Sequence, residues 1–278
     1  MSIDPNELAP HTEIPDLEAG VRLEFSPSGL AVVTLAKPEK HNCFDELTID
    51  RLSTIFYDLG RQDGVRALMI RAEGASFSAG GDIAWMRRQA TQLYDENLAD
   101  ARGLAVMFAR LDRLPIPTIA LVDGPAYGGG VGVVACCDIA LGTPRAAFAL
   151  SEAKIGLMPA TIAPYVMRAI GARNCRRYFQ TTERFDAADA YRMGLLSELL
   201  PDAAAAEHRA DRVIEAIFAA APGAVARGKS LVAELEGMAF DDDMGELTAV
   251  AIAKRRATEE AKEGLSAFLE KRRPAWLA

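Results

Sequence analysis

Apolar residues in this chain switch between a period of two and a period of three to four. Val21-Arg22-Leu23-Glu24-Phe25 alternates, Ser26-Pro27-Ser28-Gly29 turns and Leu30 to Leu35 runs apolar, which predicts a β-hairpin. After a polar connection, Leu52, Ile55, Phe56 and Leu59 recur at i, i+3, i+4 and i+7 and predict a helix. Val65 to Ile70 reads as a core strand. A helix begins at Ile83-Ala84-Trp85-Met86, where the Asp82 carboxylate can accept from free N–H groups two or three residues on. A longer helix follows from about Tyr94 to Leu111, with Leu98, Leu104, Phe108 and Leu111 along one side, and stops before Pro115-Ile116-Pro117.

Thr118 to Val122 is the next strand, broken by Asp123-Gly124-Pro125. Gly128-Gly129-Gly130 then lead into an apolar helix through Val131 to Cys137. Ile139 to Leu141 and Phe148 to Leu150 read as short strands. Asp186 caps a helix from Ala187 to Met193, Gly194 closes it, Leu195 to Leu200 can form a strand, and three or four helices follow from Ala203. The alternation predicts an α/β fold. Three segments are expected: an extension over 1–20, with Pro5, Pro10 and Pro15 and no periodicity; a core over 21–201; and a helical region over 202–278.

Composition narrows the function classes. The chain has 278 residues, half of them hydrophobic, enough for one large core. A net charge of −8 with no basic run of five residues argues against a nucleic-acid partner. No run approaches the ~18 apolar residues of a membrane span, so a soluble, cytoplasmic protein is expected. The four cysteines (Cys43, Cys136, Cys137 and Cys175) show no CxxC or Cys/His spacing, and read as small buried residues with no metal to hold.

Candidate chemistry lies in two glycine-rich turns and one glutamate. Without a Cβ, a turn of three glycines lets a ligand carbonyl approach free N–H groups at the positive end of a helix, which suits a developing oxyanion; a close strand–helix crossing is the alternative. Gly81, just before the Asp82 cap, can likewise present its N–H. Glu152 leaves an apolar strand end, where burial would raise its pKa as general acid/base work requires; a surface Glu beside Lys154 is the alternative. Lys37 and Lys40 are solvated charges or phosphate partners. His41, one of three histidines, stands in the same polar connection. Trp85 and Met86 pack their helix or wall a pocket.

The stretch GASFSAGGDIAWM (74–86), taken with VDGPAYGGG (122–130), resembles the enoyl-CoA hydratase/isomerase (crotonase) superfamily from about Val21 to the C-terminus. The resemblance implies a crotonase (ClpP-like) spiral of repeated ββα units and a helical C-terminal region that builds trimers, often paired into hexamers. It implies an acyl-CoA thioester substrate, with coenzyme A part of the substrate and no separate cofactor. Gly81 and Gly129 N–H groups would form the oxyanion hole, and Glu152 would move protons. Lys40 and the backbone of His41 and Cys43 match positions that hold the adenosine and phosphate end of coenzyme A. Ala79, Asp82, Ile83, Gly128 and Gly132 complete the substrate-binding set, with Phe268 and Lys271 from the AFLEKRRPAW ending.

One position departs from the pattern. The best-known hydratases use two glutamates around one water, and the first of those positions is Gly132 here, which implies a lost carboxylate and free space. Three readings follow: hydration by Glu152 alone; isomerisation, with Glu152 shuttling a proton between α- and γ-carbons; or a substrate carboxylate taking the space at Gly132 and helping to place the water. The runs AYGGGVGVVACCDIA, SEAKIGLMPATIAPYVMRAIG, RRYFQTTERFDA and EGLSAFLEKRRPAW resemble bacterial methylglutaconyl-CoA and isohexenylglutaconyl-CoA (carboxygeranoyl-CoA) hydratases. That favours hydration of a branched glutaconyl thioester. A non-catalytic acyl-CoA-binding protein is the alternative of another class, against which the retained Glu152 argues.

Overall fold

The computed structural model describes residues 13–16 and 18–277. Strands β1 (Glu13–Asp16), β2 (Val21–Phe25) and β3 (Leu30–Leu35) form an antiparallel ribbon. Helix α1 (Glu46–Leu59) returns the chain to β4 (Ala67–Ala72), and α2 (Ile83–Gln89) with α3 (Tyr94–Asp112) returns it to β5 (Thr118–Val122). The next turn holds β6 (Ala126–Tyr127), α4 (Gly129–Cys136) and β7 (Ile139–Gly142). A further turn holds β8 (Ala147–Ala149), α5 (Ala163–Thr181), β9 (Phe185–Asp186), α6 (Ala187–Met193) and β10 (Glu198–Leu199). Four helices end the chain: α7 (Ala203–Ala219), α8 (Pro222–Leu235), α9 (Asp242–Arg256) and α10 (Glu259–Glu270).

The main sheet has seven strands in the order β1-β2-β3-β4-β5-β7-β10, parallel from β3 onward, and β6-β8-β9 form a second, three-stranded sheet. Parallel strands need crossover helices, which cover the sheet on both faces. Period-two side chains show this directly. Leu68, Ile70, Ala120 and Val122 enter the larger core beneath α1, α3 and α4, whereas Met69, Ile119 and Leu121 pack on the other face against Ala206, Ala210, Val213 and Ile214 of α7. This is the spiral of strand–strand–helix units with a helical C-terminal region that the resemblance implied.

Some boundaries move. The expected extension over 1–20 does not run to residue 20, because Glu13–Asp16 pairs along β2 and Ala19 is buried; residues 1–12 lie outside the described residues. The helix after the glycines starts at Gly129, not Val131, since glycines at a first turn need only helical backbone angles. The strand expected over Leu195–Leu200 shrinks to Glu198–Leu199, as Leu195 and Leu196 turn inward to bond the Ala190 carbonyl.

Lys37 is corrected outright. It is 8% exposed, and its ammonium donates to Asp45 Oδ2 at 3.0 Å and Thr48 Oγ1 at 3.2 Å, so it binds the start of α1 and not a phosphate. Asp45 also caps α1 by accepting from Thr48 N–H. Burial works against its ionisation, but the bonds from Thr48 and Lys37 outweigh that and hold its pKa below the ordinary 3.8. A depressed carboxylate stabilises the fold above its unfolded pKa and loses that contribution as pH falls through the folded value. Lys37→Met should therefore cost about 3 kcal/mol at neutral pH, and the gap from the parent in denaturant titrations should narrow in acid as Asp45 protonates.

Candidate active site

Two loops meet side by side. Ser78 and Ala126 form a parallel bridge, Tyr127 N–H donates to the Ser78 carbonyl at 2.8 Å, and Phe77 and Ser78 N–H both donate to the Pro125 carbonyl. Counting three residues on from the bridge brings Gly81 level with Gly129. The step before is equally close: a Cβ on Gly80 would lie 3.0 Å from the Tyr127 carbonyl oxygen and 3.8 Å from Gly128 Cα.

The surroundings leave these two N–H groups free. Phe44 bridges to Gly81 by donating to the Gly80 carbonyl at 2.7 Å and accepting from Asp82 N–H at 2.8 Å, which satisfies Gly81's neighbours but not Gly81. Gly129 is the first residue of α4, whose opening N–H groups have no partner inside the helix. Among the described residues neither N–H has a protein acceptor. Both glycines, with Ala79, Gly80, Gly128 and Glu152, line a cavity of about 760 Å³.

Glu152 opens a 3-10 turn, Glu152–Ile155, just after β8. The Gly128 backbone leaves room for its carboxylate: Gly128 has φ +48, and a Cβ there would stand 3.0 Å from Glu152 Oε1. The other oxygen, Oε2, is buried without a hydrogen-bond partner. Burial raises the Glu152 pKa above the ordinary 4.5, with its own backbone N–H only partly opposing. No ion pair joins it to Lys154 among the described residues, so the alternative of a surface Glu–Lys pair does not hold.

The rest of the wall is mostly apolar, with Phe44, Trp85, Met86, Leu104, Leu157, Met158 and Ile162; Gln89, Ser151 and Thr161 are neutral polar residues on it, and Lys154 is the other charged residue there. Trp85 and Met86 thus do face the pocket. Spacing did not reveal Ala101 and Leu104 of α3 or the Ile155–Ile162 loop as pocket wall. Leu104 was legible only as part of a helix face.

Gly132 corrects the sequence reading. A Cβ at Gly132 would fall 2.3 Å from Ile162 Cγ2 and 2.8 Å from Phe108 Cε1. The expected free space is filled by two apolar side chains where α4 crosses α3 and the start of α5, and Gly132 does not line the cavity. No substrate carboxylate fits there.

Other candidates lie at the rim or away from it. Asp82 caps α2 by accepting from Trp85 N–H at 3.0 Å, lies 4.0 Å from the Lys40 ammonium, and accepts from the Cys43 thiol at 3.5 Å. Burial, reinforced by Asp82, pushes that thiol up to about 11. His41 is exposed and bonds Ser76 Oγ through Nδ1 at 3.0 Å. Ile83 is exposed at the start of α2. Phe268, 80% exposed, and Lys271 sit at the end of α10 and do not line the cavity of their own chain.

Comparison with known proteins agrees with this fold. The family described as Enoyl-CoA hydratase/isomerase matches residues 26–278. An enoyl-CoA hydratase structure from Shewanella pealeana ATCC 700345 superposes with a TM-score of 0.89 at 40% identity, over 92% of this chain and 96% of that one. Pseudomonas aeruginosa AtuE superposes with a TM-score of 0.87 at 30% identity, over 93% of this chain and all of the other (100%). Human enoyl-CoA hydratase domain-containing protein 3, mitochondrial, is 29% identical over 252 residues, 89% of this chain and 80% of that protein. With the paired glycine turns, the half-buried glutamate and a match over nearly its whole length, the chain belongs to the enoyl-CoA hydratase/isomerase family.

Proposed function

We propose that the protein is an enoyl-CoA hydratase that works with one carboxylate. The observation that carries this reading is the buried, unpartnered Oε2 of Glu152 beside two glycine turns with free N–H groups. The thioester oxygen accepts from Gly81 and Gly129 N–H, which stabilise the enolate as charge develops. Glu152 takes one proton from a water whose oxygen adds to the β-carbon. It returns that proton to the α-carbon, so the water is consumed whole and the carboxylate is regenerated. Lys40, the backbone of His41 and Cys43, and Asp82 stand at the rim, where the nucleotide end of coenzyme A would lie. Phe268 and Lys271 would serve a neighbouring subunit of a trimer, and exposed Val232 and Leu269 on the C-terminal helices, with exposed Phe240 between α8 and α9, support such an assembly.

A branched glutaconyl thioester is the finer substrate reading; it rests on the four sequence runs and no longer on space at Gly132. Isomerisation is the second reading, favoured by the Ile162–Phe108 plug, which leaves apolar surface where a second carboxylate would hold water. Incubation with 3-methylglutaconyl-CoA, crotonyl-CoA and a 3-enoyl-CoA separates them. Gain of one water supports hydration, double-bond migration alone makes an isomerase, and tight binding without turnover leaves a binding protein.

The pH profile follows from the raised pKa. Glu152 must be ionised to accept a proton and ionises later than an ordinary carboxylate. The rate should therefore fall tenfold per pH unit on an acid limb whose midpoint lies above 4.5. A midpoint at or below the ordinary value would remove Glu152 as the base.

A further inference from the structure

We propose that Lys154 is the specificity-determining residue of this pocket, binding a carboxylate carried on the acyl group. The proposal rests on the hydratase reading and its glutaconyl refinement. Two charged side chains line the cavity, Glu152 and Lys154, and everything around them is apolar or neutral. A carboxylate entering an apolar wall is costly unless it finds a cation or donors. With Gly132 closed off by Ile162 and Phe108, Lys154 is the cation available on that wall.

Lys154 is also uncommitted. Its backbone N–H donates to the Ser151 carbonyl, but its ammonium has no ion pair or hydrogen bond among the described residues. Both charges ride on the same short turn, Glu152 first and Lys154 third, and Gly156 at φ +78 closes it. The ammonium does not neutralise Glu152, whose pKa burial alone drives upward. One turn thus offers a proton-transfer carboxylate inside and a free cation farther out. A lysine's flexible stem and three donors suit a point contact with a carboxylate. Trp85, Met86, Leu104 and Ile162 are left to hold a hydrocarbon branch. The substrate class is a branched enoyl thioester with one distal carboxylate.

The test compares Lys154→Met and Lys154→Arg with the parent on 3-methylglutaconyl-CoA and on neutral 3-methylcrotonyl-CoA, by kcat/KM and by calorimetric binding to each thioester. The expected result is a loss of about tenfold or more for the carboxylated thioester in Lys154→Met, carried by KM. The neutral thioester should stay within about twofold, and the arginine should retain most of the preference. An equal loss on both thioesters would assign Lys154 to coenzyme A and overturn the proposal, as would no loss on either. A parent that turns over both thioesters alike would instead sink the glutaconyl refinement. If neither thioester turned over, the hydratase reading would fail, and the binding comparison would still decide for or against Lys154.

Discussion

Glu152→Gln should lose about 10²–10⁴ of kcat and yet unfold at a higher midpoint than the parent at neutral pH. The first half follows from the site: Glu152 is the carboxylate on the cavity wall, and Gln cannot take a proton from water or return one to carbon. The second half is linkage. Burial raises the folded pKa of Glu152 above its unfolded value, so between the two values the folded state binds more protons than the unfolded state. Stability then falls as pH rises through the folded pKa. A neutral amide removes that cost and can also donate to a neighbour or to water. The stability gap should close in acid, where Glu152 is protonated in both states. Paired assays and melts across pH check both halves. A variant that kept its rate would remove the carboxylate from the mechanism, and one that melted lower at neutral pH would mean that the ionised carboxylate has a stabilising partner.

The glycine turns and Glu152 could be picked out as candidates from local sequence, but preferring an oxyanion hole to tight packing, and a proton carrier to a surface glutamate, took the resemblance to enoyl-CoA hydratases. A triple glycine, a capping aspartate and a glutamate at a strand end can each be read from a few neighbours. The strands were equally readable: Val21–Phe25 alternates in burial as in sequence, whereas the continuous apolar runs of β4 and β5 read as strands without showing that Met69 and Ile119 take one face and Ile70 and Ala120 the other. What stayed hidden depends on tertiary crossings. Lys37 looked like any exposed basic residue until Asp45 and Thr48 closed over it, and Gly132 looked like a vacancy until α3 and α5 brought Phe108 and Ile162 against it. Residues eight to thirty apart in sequence fix those contacts, and no local period carries them.

Gly132→Glu, the substitution that writes the missing second carboxylate into this chain, should abolish folding and not improve hydration. The position is fully buried on α4, and the first carbon of any side chain already meets Ile162 Cγ2 and the Phe108 ring. A glutamate would add a buried charge with no partner to that overlap, and such combinations belong among the substitutions costing more than about 4 kcal/mol. Gly132→Ala isolates the steric part. Alanine in a helix interior gains up to about 1 kcal/mol over glycine, whereas overpacking a filled core costs about 1–3 kcal/mol. A net loss of about 1–2 kcal/mol in denaturant titration is expected. Coupling decides the cause: Ile162→Ala alone should destabilise by leaving a void, but combined with Gly132→Ala it should cost clearly less than the sum, because each change relieves the other. Additive losses would mean that Ile162 is not the plug. Gly132→Ala as stable as the parent would mean that the crossing has room, and the two-carboxylate route would again be open to engineering.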